Sequence, residues 1–349
     1  MKVFRGYHHP GIATACALTV GNFDGVHRGH QAMLSLMQGE ARQRGLPSCA
    51  LTFEPHPRDY FAAMANNPKL APARIATLRD KLSDLHRCGV DQVVILPFDA
   101  ALAALSPQAF IEQVLARGLG ARYVLVGDDF RFGAKRAGDY ALLDTLGSTL
   151  GMEVARMNSY EISYSHLPNL SPVAGELATA GSGHSQRISS SMVRLALAEG
   201  RMQDVARLLG HPYHISGHVL HGRKLGRELG FKTLNLRFAH WNPAAKGIFA
   251  VTVHGLADRV IQGVANLGVR PSLDANDVNG GRVLLETHCL DWPLELGHEG
   301  AYGKIVRVEL LHKLHDELKY DSLESLRRGI AKDIDDARAY FASTRHHEL

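Results

Sequence analysis

Short apolar runs alternate with stretches of helical periodicity in the first half of the chain. The runs are compact, apolar on both faces and ended by Gly, Pro or Asn, which is typical of buried strands. We predict such strands at residues 16–20, 49–53, 92–96 and 123–127. Helices are predicted between them at residues 29–44, 75–88 and 107–117. Strands separated by helices predict parallel βαβ units and an α/β doubly wound sheet.

The alternation stops at residues 158–186, which are rich in Ser, Gly, Pro and Ala and have no sustained period. We predict a long loop or insertion there. Two short helices are predicted next, at residues 190–199 and 202–209, before the breakers Gly210 and Pro212. This is the place where we expect one domain to give way to another.

The second half has short apolar segments joined by Gly-containing turns. Strands are predicted at residues 248–254, 260–267, 283–290 and 305–311. This pattern favours an antiparallel barrel or sandwich, so we predict an antiparallel β-barrel domain. A C-terminal helix is predicted from Asp321, with Glu324 as its capping-box partner. Its predicted apolar face consists of Leu323, Leu326, Ile330, Ile334 and Phe341.

A length of 349 residues suits two domains, which we place at residues 1–200 and 210–345. The chain is 45% hydrophobic and 21% charged, and no run of about 18 apolar residues predicts a membrane span. The N-terminus lacks the apolar stretch of a secretory signal, so we expect a cytoplasmic protein. A net charge of +4 without a dense basic block argues against nucleic acid as a partner. Transient self-association stays open.

The four cysteines are scattered along the chain and form no C-x-x-C pair. This spacing predicts neither a disulfide framework nor a zinc site.

The first group of residues with chemical potential is GNFDGVHRGH, residues 21–30, directly after the first predicted strand. Its glycines allow a tight turn and a close approach of the backbone to a ligand. The helix that follows offers free amide groups to an anion. His27 and His30 lie three residues apart and therefore on one face of that helix. Together these features predict a phosphate-binding cradle.

This stretch resembles the H-x-G-H nucleotidyltransferases, and GNFDGVHRGHQ is similar to their flavin branch, the bifunctional bacterial riboflavin kinase/FAD synthetase family. Three further motifs carry the resemblance: FEPHP at residues 53–57, VGDDFRFG at 126–133 and RISSSMVR at 187–194. In the last of these, Ser191 stands where Thr is usual and keeps the hydroxyl. The resemblance implies a Rossmann-like nucleotidyltransferase domain that transfers AMP from ATP to FMN, giving FAD and pyrophosphate.

The resemblance makes His27 and His30 catalytic residues that stabilise charge on the reacting phosphates, assisted by Arg187. It also implies a set of nucleotide contacts. These are Gly21, Asn22, Phe23, Asp24, Gly25, Gly29, Asp129, Arg187, Ser190, Ser191 and Arg194.

A second group of residues opens the other half, as GHVLHGRKLGRELGFKTLNL at residues 217–236. It is not a Walker loop, because Phe231 separates Gly230 from Lys232 and the strand–loop–helix context is missing. Thr233 and Asn235, two residues apart on an extended chain, point to one side and offer the oxygen ligands that Mg²⁺ prefers.

The same stretch resembles the riboflavin kinase motif G-x-V-x-H-G-x-x-x-G-R-x-L-G-F-P-T-x-N-L. The resemblance implies that ATP phosphorylates riboflavin here, with Glu286 of LETH as general base and Mg²⁺ held by Thr233 and Asn235. ATP is then a co-substrate of both sites, and FMN and FAD are products or substrates. The implied nucleotide contacts are Gly222, Arg223, Gly226, Gly230, Thr233 and Asn235.

Two residues depart from the kinase pattern: Lys232 replaces a usual Pro, and His315 replaces a usual Arg. Loss of the proline predicts a looser loop, and His315 predicts a pH-dependent charge. These departures support an alternative, a monofunctional FMN adenylyltransferase whose barrel is a degenerate flavin-binding regulatory module. Two further alternatives are an H-x-G-H enzyme with pantetheine phosphate or nicotinate nucleotide as acceptor, and a non-enzymatic scaffold.

Overall fold

The computed structural model describes residues 1–163, 185–221, 231–269, 283–297 and 299–345. These residues form two compact units. The first unit contains Met1–Pro72, residues 81–163 and residues 185–189, and the second contains Ala73–Asp80 and the described residues from Ser190 onward.

The segment Ala73–Asp80 belongs to the second unit through hydrogen bonds that join it to residues far along the chain. Tyr213 Oη donates to the Ile75 carbonyl oxygen (2.9 Å), and Ser216 N donates to Asp80 Oδ1 (3.1 Å). The domain limits of 1–200 and 210–345 stay a prediction.

The first unit is built on a parallel sheet of six strands in the order β1-β4-β3-β2-β5-β6. The strands are β1 Lys2–Arg5, β2 Cys16–Val20, β3 Ser48–Glu54, β4 Gln92–Pro97, β5 Ala121–Gly127 and β6 Glu153–Met157. All four predicted strands are confirmed, and β2 is buried along its whole length. The two edge strands, β1 and β6, escaped prediction because they mix charged residues with apolar ones.

Helices connect these strands and confirm the doubly wound α/β fold. They are α1 Arg28–Gln43, α2 Pro57–Met64, α3 Leu78–Arg87, α4 Ala100–Ala104, α5 Pro107–Ala109 (which continues as a π-helix over Phe110–Gly118) and α6 Tyr140–Thr149. The predicted helix at residues 75–88 begins only at Leu78. Thr77 Oγ1 accepts a hydrogen bond from Asp80 N (3.1 Å) and so caps the first turn.

The position of β2 determines where a ligand can bind in this unit. Strands β3 and β4 lie on one side of β2, and β5 and β6 lie on the other. The strand order therefore reverses at β2. In open α/β sheets, ligands bind in the crevice at the carboxyl end of the strands at such a switch point.

Two short strands replace both ends of the loop predicted at residues 158–186. β7 Glu161–Ser163 pairs antiparallel with β8 Ser185–Arg187. The prediction of a loop is therefore wrong at these two ends, because the strands are stabilised by pairing with each other and not by a local sequence pattern. The insertion at about residues 158–186 stays a prediction. Residues 164–184 lie outside the described residues.

The second unit opens with two helices and continues as a nearly closed antiparallel barrel, which confirms the barrel prediction. The helices are α7 Ser190–Ala198 and α8 Met202–Leu209. The strands are β9 Tyr213–His218, β10 Thr233–Phe238, β11 Gly247–His254, β12 Ile261–Val269, β13 Val283–Cys289 and β14 Ile305–His315, in the order β10-β13-β12-β11-β14-β9. Leu220 N donates to the Asn235 carbonyl oxygen (2.8 Å), which brings the two ends of the sheet together.

The last helix, α9 Leu323–Arg345, packs on the outer face of this barrel. Its cap differs from the prediction: Ser322 Oγ accepts from Ser325 N (3.1 Å) and Ser325 Oγ accepts from Ser322 N (3.1 Å), in place of Asp321 and Glu324. Leu323 was also wrongly assigned to the apolar face, since it is 61% exposed. The buried cluster consists of Ile334, Ala337 and Phe341 of α9 with Ile248, Ala250 and Val264 of the barrel.

Candidate active sites

A buried turn connects β2 to α1 at the carboxyl edge of the parallel sheet. Gly25 takes φ +86°, and Phe23 and Val26 have positive φ values of 48° and 38°. These last two conformations are unfavourable for side chains with a Cβ, above all for a β-branched residue. Both side chains are fully buried, and the surrounding packing therefore fixes the turn. The backbone amides that follow begin α1.

His27 and His30 lie together at the start of α1. His27 Nδ1 accepts a hydrogen bond from His30 N (3.4 Å), so His27 is the N-cap of the helix and, when neutral, carries its proton on Nε2. The two rings stack with their centroids 3.7 Å apart, and the Phe23 ring meets His30 edge-on at 5.2 Å. The pair is therefore held rigidly at the positive end of the helix dipole.

Gly29 allows this stacked pair to form. A Cβ at Gly29 would lie 3.2 Å from the His27 ring and 3.3 Å from the Ile188 carbonyl oxygen. Both distances are tighter than ordinary van der Waals contact. Glycine therefore lets the imidazole and the Ile188 backbone approach the first turn of the helix.

Asp129 and Arg187, both predicted nucleotide contacts, are in contact with each other. Arg187 Nη2 lies 3.1 Å from Asp129 Oδ2 and 3.4 Å from Asp128 Oδ1. Asp128 also accepts a hydrogen bond from Ser159 Oγ (2.5 Å). The ion pairs are partly exposed, so water competes for them and Arg187 can exchange them for another anion at little cost.

Ser190, Ser191 and Arg194 lie on the first turns of α7, which belongs to the second unit. Within that unit, Arg194 Nε donates to the Ala73 carbonyl oxygen (2.7 Å). Their roles as nucleotide contacts stay predictions.

A cluster of aromatic rings at the carboxyl ends of β3 and β4 was not predicted as part of the site. Phe98 lies 5.8 Å from Phe53, 5.5 Å from Tyr60 and 5.7 Å from Phe61, measured between ring centroids. Phe61 is 51% exposed, which is unusual for so large an apolar side chain. The four rings come from β3, α2 and the residue after β4, and the order of the strands in the sheet brings them together.

The barrel brings the predicted kinase residues onto neighbouring strands. Thr233 pairs with His288 across β10 and β13, and Asn235 pairs with Glu286. Directly paired residues of antiparallel strands lie on the same face, with Cβ atoms about 4.5–5.5 Å apart. On β12, Asn266 pairs with Glu286 from the other side. A row Asn235–Glu286–Asn266 therefore crosses three strands on one face of the barrel.

Asn235 is 6% exposed, and its Oδ1 has no hydrogen-bond partner within the described part of the chain. An acceptor buried in this way costs free energy unless a ligand satisfies it. The remaining predicted kinase contacts, Gly222, Arg223, Gly226 and Gly230, lie outside the described residues.

Lys232, the residue that replaces a usual Pro, is held by two contacts. Its carbonyl oxygen accepts from His288 Nδ1 (2.8 Å), and its Nζ lies 5.3 Å from the centroid of the Trp292 ring. Burial lowers the pKa of His288, although the hydrogen bond to Lys232 opposes that effect. The peptide before Thr233 is therefore fixed by neighbours in place of the proline ring.

His315, the second departure, forms an ion pair with the last helix. Its Nε2 lies 2.8 Å from Asp333 Oδ1, and its Nδ1 lies 2.7 Å from the Asp316 carbonyl oxygen. Burial alone would lower the pKa of His315, but the two hydrogen bonds and the charge of Asp333 outweigh it and raise the pKa.

Two family models match consecutive stretches of the chain. The model described as FAD synthetase matches residues 9–168, and the model described as riboflavin kinase matches residues 209–341. No helix of the described residues is both long enough and apolar enough to cross a membrane.

Full-length relatives carry the name bifunctional riboflavin kinase/FMN adenylyltransferase. Those from Escherichia coli (strain K12), Haemophilus influenzae and Pseudomonas fluorescens are 40%, 38% and 37% identical to this chain. In the same order, the alignments cover 99%, 98% and 99% of this chain. They cover 99%, 100% and 100% of the three relatives.

A crystal structure described as a macrolide-efflux protein from Streptococcus pneumoniae superposes with a TM-score of 0.68. It covers 97% of this chain and 99% of its own and is 24% identical, which supports the fold alone.

A doubly wound nucleotidyltransferase unit followed by a flavokinase barrel defines a two-domain enzyme of flavin nucleotide synthesis. The chain belongs to the family of bifunctional riboflavin kinase/FMN adenylyltransferases. The match of both domains favours the bifunctional interpretation over a monofunctional adenylyltransferase with a degenerate barrel. It also disfavours pantetheine phosphate or nicotinate nucleotide as acceptor.

Proposed function

We propose that this chain converts riboflavin to FAD in two ATP-dependent steps at two separate sites. The barrel transfers the γ-phosphoryl group of ATP to the 5′-hydroxyl of riboflavin and forms FMN and ADP. The doubly wound unit transfers AMP from a second ATP to FMN and forms FAD and pyrophosphate. The pairing of Asn235 with Glu286 carries this proposal, because it sets a carboxylate beside a buried oxygen ligand.

Adenylyl transfer requires positioning and charge stabilisation rather than a covalent enzyme intermediate. An oxygen of the FMN phosphate attacks the α-phosphorus of ATP, and the bond to the pyrophosphate oxygen breaks. A helix dipole contributes only about 0.3–1 kcal/mol, against the roughly 8 kcal/mol or more that catalysis needs. Hydrogen bonds from His27, His30 and Arg187 to the phosphate oxygens must therefore contribute most of the stabilisation.

The aromatic cluster of Phe53, Tyr60, Phe61 and Phe98 offers a surface for the isoalloxazine ring of FMN. Its rings lie at the same edge of the sheet as the turn between β2 and α1. A planar flavin ring gains both apolar burial and ring contacts there. The partly exposed Phe61 is the side chain that such a ligand would cover.

Glu286 is the general base of the proposed kinase step. Its carboxylate accepts the proton of the 5′-hydroxyl while that oxygen attacks the γ-phosphorus and ADP leaves. Mg²⁺ fits beside it, because Asn235 Oδ1 is a buried acceptor in need of a partner. Thr233 and Asn235 would hold the ion, which supplies positive charge to the β- and γ-phosphates when bound.

We further propose a cytoplasmic location, with riboflavin, FMN and ATP as the partners of the protein and neither nucleic acid nor membrane among them. The modest net charge of +4 supports small-molecule partners over nucleic acid.

Two substitutions test the assignment of the sites. Glu286→Gln should reduce FMN formation from riboflavin by at least about 100-fold, since the base is lost, and leave FAD formation from supplied FMN unchanged. His30→Ala should do the reverse, since it removes a donor to the phosphates. Each variant is the folding control for the other. Loss of both reactions in either folded variant would contradict separate sites, and near-normal adenylylation by His30→Ala would contradict the role of the histidine pair.

A further inference from the structure

Asn266 lies beside the proposed base and has no role in the two steps described above. It pairs with Glu286 across β12 and β13, on the side opposite Asn235. Its side chain therefore points to the same face as the carboxylate, within the reach of one small ligand group. The three residues form one continuous polar row.

Asn266 Oδ1 is buried and has no hydrogen-bond partner among the described residues. A neighbouring carboxylate cannot satisfy it, because Glu286 is also an acceptor when ionised. Only a donor or a cation can satisfy the Asn266 oxygen. A hydroxyl group is such a donor, and Glu286 already faces the hydroxyl of a polyol in the proposed reaction.

The order of residues along the row gives the direction of the substrate. Asn235 lies at the end with the proposed metal and phosphates, and Glu286 lies next, at the attacked hydroxyl. Beyond Asn266 the row continues on β11 with Ile248, which belongs to the apolar cluster with Ile334 of α9. The row thus runs from the proposed phosphate ligands through two polar side chains to the apolar side chains that pack against α9. Riboflavin has the same order, from its terminal hydroxyl along the ribityl chain to the aromatic ring.

We infer that Asn266 binds the 4′-hydroxyl of the ribityl chain, next to the attacked 5′-hydroxyl, and thereby selects a polyol substrate and holds its end against Glu286. Asn266 Oδ1 accepts the hydrogen bond and the 4′-hydroxyl donates it. This inference rests on the proposed kinase role of Glu286.

The test measures kcat/KM for phosphorylation of riboflavin, 4′-deoxyriboflavin and 2′-deoxyriboflavin by the full-length protein. The wild type should lose about 10-fold with the 4′-deoxy substrate, the usual effect of one lost hydrogen bond. The Asn266→Ala variant should have a kcat/KM for riboflavin about 10-fold below that of the wild type. For the 4′-deoxy substrate, its kcat/KM should equal that of the wild type. With the 2′-deoxy substrate, the effect of Asn266→Ala should be the same as with riboflavin.

Gln262→Ala is the matched control. Gln262 lies on the same strand as Asn266 and, by alternation, on the same face of the sheet. It pairs with Thr252 and therefore lies outside the row. It should leave the three substrates in the same order as the wild type. FAD formation from supplied FMN should be normal in both variants, which shows that the rest of the chain is intact.

Equal kcat/KM values of the wild type for riboflavin and 4′-deoxyriboflavin would overturn the inference without any variant. It would also fail if Asn266→Ala lowered the values for all three flavins by one common factor, because that is the effect of a purely structural residue. If the wild type phosphorylated none of the flavins, the proposed kinase function would fall, which is a different outcome.

Discussion

At the scale of single residues, the histidine pair at the start of α1 is the centre of the proposed adenylylation site. The pattern at residues 21–30 predicted a phosphate cradle with His27 and His30 on one helical face. The structure shows in addition that His27 caps the helix and stacks on His30. A cap and a ligand contact are not exclusive, since an imidazole has two ring nitrogens and the cap uses only Nδ1.

Gly29 gives a prediction at this scale. Gly29→Ala should lower FMN adenylylation at least about ten-fold, because the new Cβ crowds the His27 ring at 3.2 Å and displaces it. FMN formation from riboflavin should not change. The two rates, measured separately with supplied FMN and with riboflavin, decide the result.

The control is Gly39→Ala on the same helix, where a Cβ would meet no atom within 4 Å. It should stabilise the helix by about 0.5–1 kcal/mol and leave both activities unchanged. Full adenylylation by Gly29→Ala would mean that the His27 ring moves aside without a functional cost.

At the scale of elements, the pattern predicted those segments whose own residues carry the signal. Buried strands such as β2 and β4 were found because every residue in their centre is apolar or small. Strand β10 was missed, since its face carries Thr233 and Asn235 where an ordinary strand has apolar residues. The predicted start of α9 is too early, because Asp321 and Glu324 do not form the cap. Ser322 and Ser325 form it, each side-chain oxygen accepting a hydrogen bond from the other residue's backbone N.

The contact of β14 with α9 gives a pH-dependent prediction. The pKa of His315 is raised in the folded state. Its ion pair with Asp333 therefore contributes its full stabilisation of the folded state at pH values below the unfolded pKa of about 6.5. That stabilisation is lost as the pH rises through the folded pKa. Lys332 and Asp316 also act on the His315 charge, the first lowering its pKa and the second raising it through its carbonyl oxygen.

Replacement of His315 by Gln should therefore lower Tm at pH 6 by about 3 °C and by much less at pH 9. The His315→Arg variant has a fixed positive charge, so its Tm should exceed that of His315→Gln by a similar amount at pH 6 and at pH 9. Thermal melts of the three proteins at the two pH values test this. A loss of Tm in His315→Gln that is equal at pH 6 and pH 9 would show that the imidazole acts by packing rather than by charge.

At the scale of the whole molecule, the sequence predicted two units of different architecture, and the structure confirms both folds. The motif alone proposes Asn235 and Glu286 as kinase residues, whereas the row that joins Asn235, Glu286 and Asn266 could not be predicted. The strands that carry it are separated by long stretches of chain, and their register is set by non-local pairing. The same reason hid the aromatic cluster around Phe98.

Both activities belong to one chain. The most direct measurement incubates the purified protein with riboflavin, ATP and Mg²⁺ and separates the flavins by chromatography over time. We expect FMN to appear first and then to be replaced by FAD. FAD from supplied FMN, but no product from riboflavin, would contradict a bifunctional enzyme and identify the barrel as a binding module.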